Sequence, residues 1–522
     1  MSDKEEMQQI RPRFGAFILE TLTMGMYGES RNAIREYVQN SFDSLREAVQ
    51  AGLITPEKMD VSVVLDVANN EMTIRDNGVG LRSSSAVDVL VAVGSSKKDF
   101  RKNAGFRGIG RLAGIVICDE LKFTTKAKGD PKTTTVTFNA KRLRELLEPE
   151  SQRDDAESTL ARCINAVTDE VDGIEDHFFE VKLSKFHQPP KECLELESLK
   201  TFLSQVSPLP YAPEFSHAKE IIEFGRTHGK EIETIRLYVG DTARVSELFK
   251  PYGDTYAVKR VQASLTAIDM VVSAAGTWWG WVGRKKVSGA VKDAGTRGIR
   301  VRARNIQIDG VEIMKEVFSS SFDPNSSRLS YARFSEYYVG EIFVEPGAAI
   351  PNARRDGFEE EAHWIELRKE LAKDIGAKYG LLAYRVMAAE STSVSALTTR
   401  LTTLEENARR LVAEKTTDWD LISPVLNEAK EIQKRVEKGA SLAEGVDSEQ
   451  FYAIATRIGA VRHDVNRLNV QKTRTLDCTA EVERATSDLT QRILRALKEG
   501  LGPTEWAKAR AIVRDETGDD LD

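Results

Sequence analysis

The stretch RNAIREYVQNSFDSLREAVQ, Arg31 to Gln50, limits the possible folds more than any other part of this chain. Ile34, Val38, Phe42, Leu45 and Val49 recur three and four residues apart, so the stretch reads as a helix with one buried face. Such a helix must lie on a partner layer. On the opposite face Glu36, Asn40 and Asp43 fall within about 60° of one another at 100° per residue. That face is either an ordinary solvated side or a place where two carboxylates and an amide meet a ligand. Ser30 is the expected N-cap.

The next segments supply partners for such a ligand. VSVVLDV (61–67) and EMTIRD (71–76) read as strands about an Asn69-Asn70 turn. The hairpin delivers DNGVGL, residues 76–81. Gly78 and Gly80 allow a tight turn and the close approach of a flat ligand. The Asp76 carboxylate beside them can accept a hydrogen bond from an exocyclic amine such as that of adenine. A plain glycine turn with a solvated acid fits the same residues. Residues 91–118, VAVGSSKKDFRKNAGFRGIGRLAGIVIC, place Gly105, Gly108 and Gly110 before an apolar run, with Lys97, Lys98, Arg101 and Lys102 nearby. Free backbone N–H groups at such glycines can cradle phosphates, and a solvated surface loop is the alternative. The glycine spacing is not the dinucleotide fingerprint. LKFTTKA (121–127) and TTTVTFNA (133–140) read as two further strands.

Each signal is weak alone, but their order is specific. E-x-x-x-N-x-x-D, then D-x-G-x-G, then G-x-x-G-x-G and a Thr-rich strand resembles the ATPase module shared by gyrase, the ninety-kilodalton heat-shock chaperone, histidine kinases and MutL. The resemblance covers roughly Thr21 to Phe186 and is greatest to the heat-shock-chaperone and Morc branch. It implies that Glu36 is the general base and that Asn40 holds magnesium, with Asp43 beside them. It implies that Asp76 takes the adenine amine over Gly78 and Gly80. Gly105, Gly108 and Gly110 match the lid over the phosphates, Ser96 and Lys97 match phosphate contacts, and Thr134 matches a threonine near adenine. Thr133 stands where that family usually has glycine. ATP and Mg2+ are the implied ligands.

Farther on, AIPNARRDGF (349–358) resembles the catalytic loop of the chaperone's middle domain. There an arginine reaches the γ-phosphate, and Arg355 matches it, with Arg354 adjacent. A solvated arginine pair facing Glu359, Glu360 and Glu361 is the other reading. Trp278, Trp279 and Trp281 read as core on a strand. The run Gly283 to Arg304, GRKKVSGAVKDAGTRGIRVRAR, is basic enough for a phosphate track. Val394, Leu397, Leu401, Leu404, Ala408 and Leu411 mark a short coiled coil or bundle helix, with further helices to about Glu499 broken near Pro424 and Gly439. RHDVNRLN (462–469) loosely resembles the phospho-acceptor box of histidine kinases, with His463 as acceptor.

These readings give an α+β chain of 522 residues. Residues 1–190 form an α/β sandwich ATP-binding domain, 191–385 an α+β, transducer-like middle domain carrying the arginine loop, and 386–522 a helical region with an acidic tail. RLRELLEPESQRDDAESTLARCINAV (142–167) reads as a charged helical insertion in the first domain. The net charge of −7 argues against a global field for nucleic acid. Four scattered cysteines fit a reducing cytoplasm and exclude a paired zinc motif. The charged first residues do not read as a signal peptide, and the most apolar stretch, Met270 to Gly283, is too short to span a bilayer. The expected activity is ATP hydrolysis to ADP and phosphate. It would drive lid closure and homodimerisation on a protein client or partner, without a membrane. The alternatives are a Morc- or MutL-like DNA clamp, a nucleotide-switch subunit of a multi-protein system such as phage defence, and a histidine kinase.

Overall fold

A computed structural model describes residues 15, 19–21, 29–94, 108, 110–148, 155–308, 310–321, 330–352, 354–440, 446–473, 502 and 506. The chain divides into two compact units, Met1–Val386 and Met387–Asp522. The lid residues Ser96, Lys97 and Gly105 lie outside the described residues, as do the acidic tail and the expected helices beyond Thr473.

The first unit opens with α1 (Asn32–Gln50). The sequence set its N-cap at Ser30, but Arg31 holds that position and no side chain caps the helix. Arg31 already has helical dihedrals, and the Ser30 carbonyl accepts the Ala33 N–H within a turn begun at Glu29. β1 (Asp60–Asp66) and β2 (Glu71–Asp76) follow, with Asn70 left-handed in the turn between them. Val61, Val63 and Leu65 alternate inward along β1, the period-2 pattern of a half-buried strand. After α2 (Ser83–Val91) the apolar run that follows the glycine loop forms a 3-10 turn, Gly110–Val116. β3 (Cys118–Lys126) and β4 (Lys132–Asn139) come next. The expected helical insertion is only partly helical. It holds α3 (Ala140–Leu147), α4 (Ala156–Ala161) and then a strand, β5 (Ile164–Glu170). β5 is an edge strand with exposed side chains, so its sequence lacks the apolar alternation that betrays a strand. β6 (Phe178–Phe186) returns to the centre.

The first sheet runs β5-β4-β3-β6-β2-β1-β7-β8. Its last two strands, β7 (Arg236–Gly240) and β8 (Val245–Leu248), come after α5 (Leu196–Val206) and α6 (Ala218–Thr227). The sequence reading put the β7 segment in the middle domain, beyond residue 190. β7 instead pairs in parallel with β1, and Arg236 binds Asp60 through both carboxylate oxygens. Ile34, Phe42 and Leu45 of α1 pack in one core with Val61, Val63 and Ile74 of the sheet. Side chains buried this fully each contribute about 1.5–3 kcal/mol.

The second sheet runs β13-β12-β14-β11-β10-β9. Its strands are β9 (Thr255–Val258), β10 (Val261–Val272), β11 (Trp278–Lys285), β12 (Gly298–Ala303), β13 (Ile306–Ile308) and β14 (Val339–Val344). α7 (Glu312–Ser319) lies within the connection between the parallel pair β12 and β14. Trp278, Trp279 and Trp281 are buried in this region's core, as their strand pattern implied. Beneath them Glu341 is fully buried with Lys250, Arg302 and the Tyr211 hydroxyl around its carboxylate. The two cations hold that carboxyl down at about 2 against the effect of burial. Arg302 also donates to the carbonyls of Gln205 and Ser207, at the end of α5.

Several cations of the basic run have partners within the fold. Arg284 pairs with Asp269, Lys285 donates to the Gly289 carbonyl, and Arg297 faces Glu336. Arg300 donates to the Ala294 carbonyl and Arg302 is engaged with Glu341. Arg300 and Arg302 sit at buried positions of β12 and need internal partners, Arg284, Lys285 and Arg297 are half-buried, and Lys286 and Lys292 are exposed lysines of the run.

α8 (Ala362–Leu371) and α9 (Lys378–Thr392) lead to the helical unit. α10 (Val394–Ala413), α11 (Trp419–Ala440) and α12 (Val446–Thr473) share one core. Leu397, Leu401, Leu404, Ala408 and Leu411 form its first stripe. Pro424 lies inside α11 and does not break it, because near the N-terminus it forgoes a single helical hydrogen bond. His463 is exposed on α12. Among the described residues, no helix is long and apolar enough to cross a membrane.

Candidate active site

The site is laid out along α1. Glu36, Asn40 and Asp43 share its polar face, as their spacing requires. Glu36 and Asp43 are buried, while Asn40 is half-buried and has no hydrogen-bond partner among the described residues. One end of the helix meets the glycine turn and the other meets the arginine loop.

At the first end β2 ends on Asp76, which is 2% exposed. Asp76 Oδ1 accepts the Gly78 N–H at 2.9 Å and faces the Ser44 hydroxyl at 3.5 Å. Asp76 Oδ2 is buried and has no partner. Burial pushes this carboxyl up to about 7, and the Ser41 and Ser44 hydroxyls and the Gly78 N–H only partly oppose that rise. An unpaired buried carboxylate oxygen is costly unless a ligand donor meets it. Neither glycine of the turn can be replaced without a clash. A Cβ on Gly78 would stand 2.0 Å from Ser44 Oγ, and one on Gly80 would stand 1.9 Å from the Lys126 carbonyl oxygen. Gly80 also has φ +61°.

The cross-strand register explains what holds the turn. Asp76 pairs with Phe179 on β6, Phe179 with Thr125 on β3, Thr125 with Thr134 on β4, and Thr134 with Thr168 on β5. Thr134 therefore lies on the same sheet face as Asp76 but three strands away, about 14 Å by strand spacing. Its hydroxyl meets that of Thr168 at 3.2 Å. The geometry does not bring Thr134 to Asp76, because β6, late in the chain, inserts between β2 and β3. Two residues that the sequence reading missed do reach the turn. Thr125 Oγ1 accepts the Leu81 N–H at 2.8 Å, and His177 Nδ1 meets the Gly78 carbonyl at 2.6 Å. Thr125 sat in the Thr-rich FTTKA stretch, whereas nothing in the sequence marked His177.

The other end of α1 carries Glu36. Its carboxylate lies against Gly110, where a Cβ would stand 2.5 Å from Oε2. Tyr37 fixes the 3-10 turn to α1 by accepting the Gly114 N–H and donating to the Arg111 carbonyl. The Gly94 N–H lies 3.4 Å from the Gly108 carbonyl. Arg355 comes from the loop after β14. It is buried, with φ +55°, and its Nε lies 3.7 Å from Glu36 Oε1. The neighbouring Arg354 carbonyl accepts Arg35 Nη2 at 2.9 Å. Arg355 is therefore not solvated, whereas Arg354 is exposed and contributes its backbone carbonyl.

Glu36 and Ser44 are eight residues apart on one helix, a rise of about 12 Å. An extended triphosphate nucleotide can bridge that separation. A buried carboxylate beside a glycine turn stands at one end, and a carboxylate with an arginine stands at the other.

Comparison with known proteins agrees with this layout. Residues 28–165 match the family described as histidine kinase-, DNA gyrase B-, and HSP90-like ATPase. The chain is 28% identical over 141 residues to the chaperone protein HtpG of Acinetobacter baylyi, covering 24% of this chain and 22% of that protein. It is 26% identical over 141 residues to HtpG of Verminephrobacter eiseniae, covering 24% of this chain and 21% of that protein. The match thus spans about a fifth of the length of these relatives. The N-terminal sheet domain is an ATPase domain of this superfamily, on its HSP90-like side.

Proposed function

We propose that this chain binds and hydrolyses ATP and uses the cycle to change its own conformation, acting on a protein client or partner. One observation carries the reading. The buried Arg355 meets Glu36 at one end of α1, while Asp76 offers an unpaired buried oxygen at the other. A structural ion pair accounts for the first feature alone, and a nucleotide spanning the helix accounts for both.

In this reading adenine lies on the Gly78–Gly80 turn and donates its amine to Asp76. The triphosphate runs along the polar face of α1 under the glycine lid. Asn40, half-buried on the same face of α1, would hold magnesium, which neutralises phosphate charge when bound. Glu36 takes a proton from a water whose oxygen forms the new bond to the γ-phosphorus. The bond from that phosphorus to the bridging oxygen breaks, and ADP keeps the electron pair. Arg355 balances the charge that develops on the γ-phosphoryl oxygens. Arginine suits this task because its planar fork binds phosphate oxygens in pairs. ATP-dependent lid closure would change what Arg355 touches and so link the two sheets to the nucleotide state. We read the working form as a cytoplasmic homodimer.

Calorimetric binding of ADP and steady-state release of phosphate from Mg-ATP test the proposal on the intact chain. Binding and turnover are expected. Absence of ADP binding would overturn the nucleotide site. A mass measurement that finds a monomer both with and without a non-hydrolysable ATP analogue would remove the dimer.

A further inference from the structure

Sterics force glycine at the centre of the turn beside Asp76, because a Cβ on Gly78 would overlap Ser44 Oγ at 2.0 Å. Glycine is also the residue whose backbone is least restrained. The turn therefore needs restraint from outside, or its peptides would rotate and Asp76 would lose its donor. The register supplies the candidate. β2 and β6 pair antiparallel, the ladder ends with Asp76 opposite Phe179, and continuing its register by two residues sets His177 opposite Gly78. There the imidazole Nδ1 lies 2.6 Å from the Gly78 carbonyl oxygen. A carbonyl only accepts, so Nδ1 carries the hydrogen.

Both peptide groups of Gly78 are thus held. Its N–H points at Asp76 Oδ1 and its C=O is held by His177. This arrangement keeps Oδ1 occupied and leaves Oδ2, which has no partner, to meet a ligand donor. Thr125 pins the end of the same turn at Leu81. That contact binds the backbone N–H of the last residue and does not restrain Gly78. Within the turn, His177 is the side chain that grips the Gly78 carbonyl.

We propose that His177 is a positioning residue for adenine recognition: through the Gly78 carbonyl it sets the direction of the Asp76 carboxylate and hence the preference for a 6-amino purine. The inference rests on the nucleotide-binding reading above. It assigns His177 no contact with the triphosphate and no part in proton transfer.

The test compares wild type, His177→Ala and His177→Asn by calorimetry with ADP and with inosine diphosphate, which lacks the exocyclic amine. His177→Ala is expected to weaken ADP binding by roughly threefold to tenfold, the worth of one hydrogen bond. Inosine diphosphate binding should change less, so the ratio between the two ligands should narrow. His177→Asn places an amide N–H near the position of Nδ1 and is expected to restore most of the ratio. In turnover the alanine variant should raise KM for ATP rather than lower kcat. An unchanged ligand ratio in His177→Ala would overturn the inference, as would an asparagine variant as impaired as the alanine one. If wild type binds neither diphosphate, the nucleotide reading itself fails, a result distinct from both.

Discussion

Arg355 Nε lies 3.7 Å from Glu36 Oε1, although one stands on the loop after the second sheet and the other on the first helix. Both side chains are buried, and the Arg35 contact with the Arg354 carbonyl holds the loop in place. Arg355→Ala is expected to lower kcat for ATP hydrolysis by about a hundredfold or more, on the scale of arginines that stabilise phosphoryl transfer. ADP affinity should stay within about threefold, because the Asp76 end of α1 is untouched. Lysine should not rescue, since it lacks the fork. Steady-state kinetics beside ADP calorimetry on the same preparations checks this.

Asp76 makes ADP binding depend on pH. Burial raises its folded value to about 7, above the ordinary 3.8 of an aspartate. Between these values the folded chain holds a proton that the unfolded chain has lost. The contribution of Asp76 to stability therefore falls as pH rises through that window and levels off above it. An amine donor needs the carboxylate form, so binding below pH 7 must release a proton. ADP affinity is expected to rise roughly tenfold from pH 6 to 7.5 and then flatten. Calorimetry in two buffers of different ionisation enthalpy detects the proton, and Asp76→Asn should abolish both the release and the slope.

Gly80→Ala should be damaging out of proportion to its size. The new Cβ would meet the backbone oxygen of Lys126 at 1.9 Å, at a φ of +61° that alanine rarely adopts. A cost of about 1–3 kcal/mol is expected from the backbone alone. Because the same turn carries Asp76, ADP binding should be lost even at temperatures where circular dichroism shows a folded protein.

Glu341→Gln should destabilise the first unit by about 3 kcal/mol or more, since it strands Arg302 and Lys250 in the interior. Lys250→Met should cost less, because the Arg302–Glu341 pair survives and Lys250 is already pulled down to about 7 by burial. Urea unfolding with the midpoint as readout ranks the two variants.

The parts of the site carried by local pattern were legible in the sequence. Glu36, Asn40 and Asp43 share a face by helical arithmetic, and the Asn69-Asn70 hairpin leads straight to Asp76. Relations set by strand order were not legible. Thr134 falls three strands from Asp76 because β6 enters the sheet between β2 and β3. The same insertion brings His177 to Gly78, a contact between residues 99 apart in the chain. β5 went unread because an exposed edge strand has no buried face to impose alternation. Charge counts in the basic run say nothing of partners such as Asp269 and Glu341, which come from other strands.

The most direct measurement is ATP hydrolysis by wild type beside Glu36→Ala, with ADP and ATP binding measured on both. Loss of turnover by about a hundredfold or more with binding retained is expected of a general base. Turnover that persists unchanged in Glu36→Ala would contradict the assignment of Glu36, and with it the mechanism built on its meeting with Arg355.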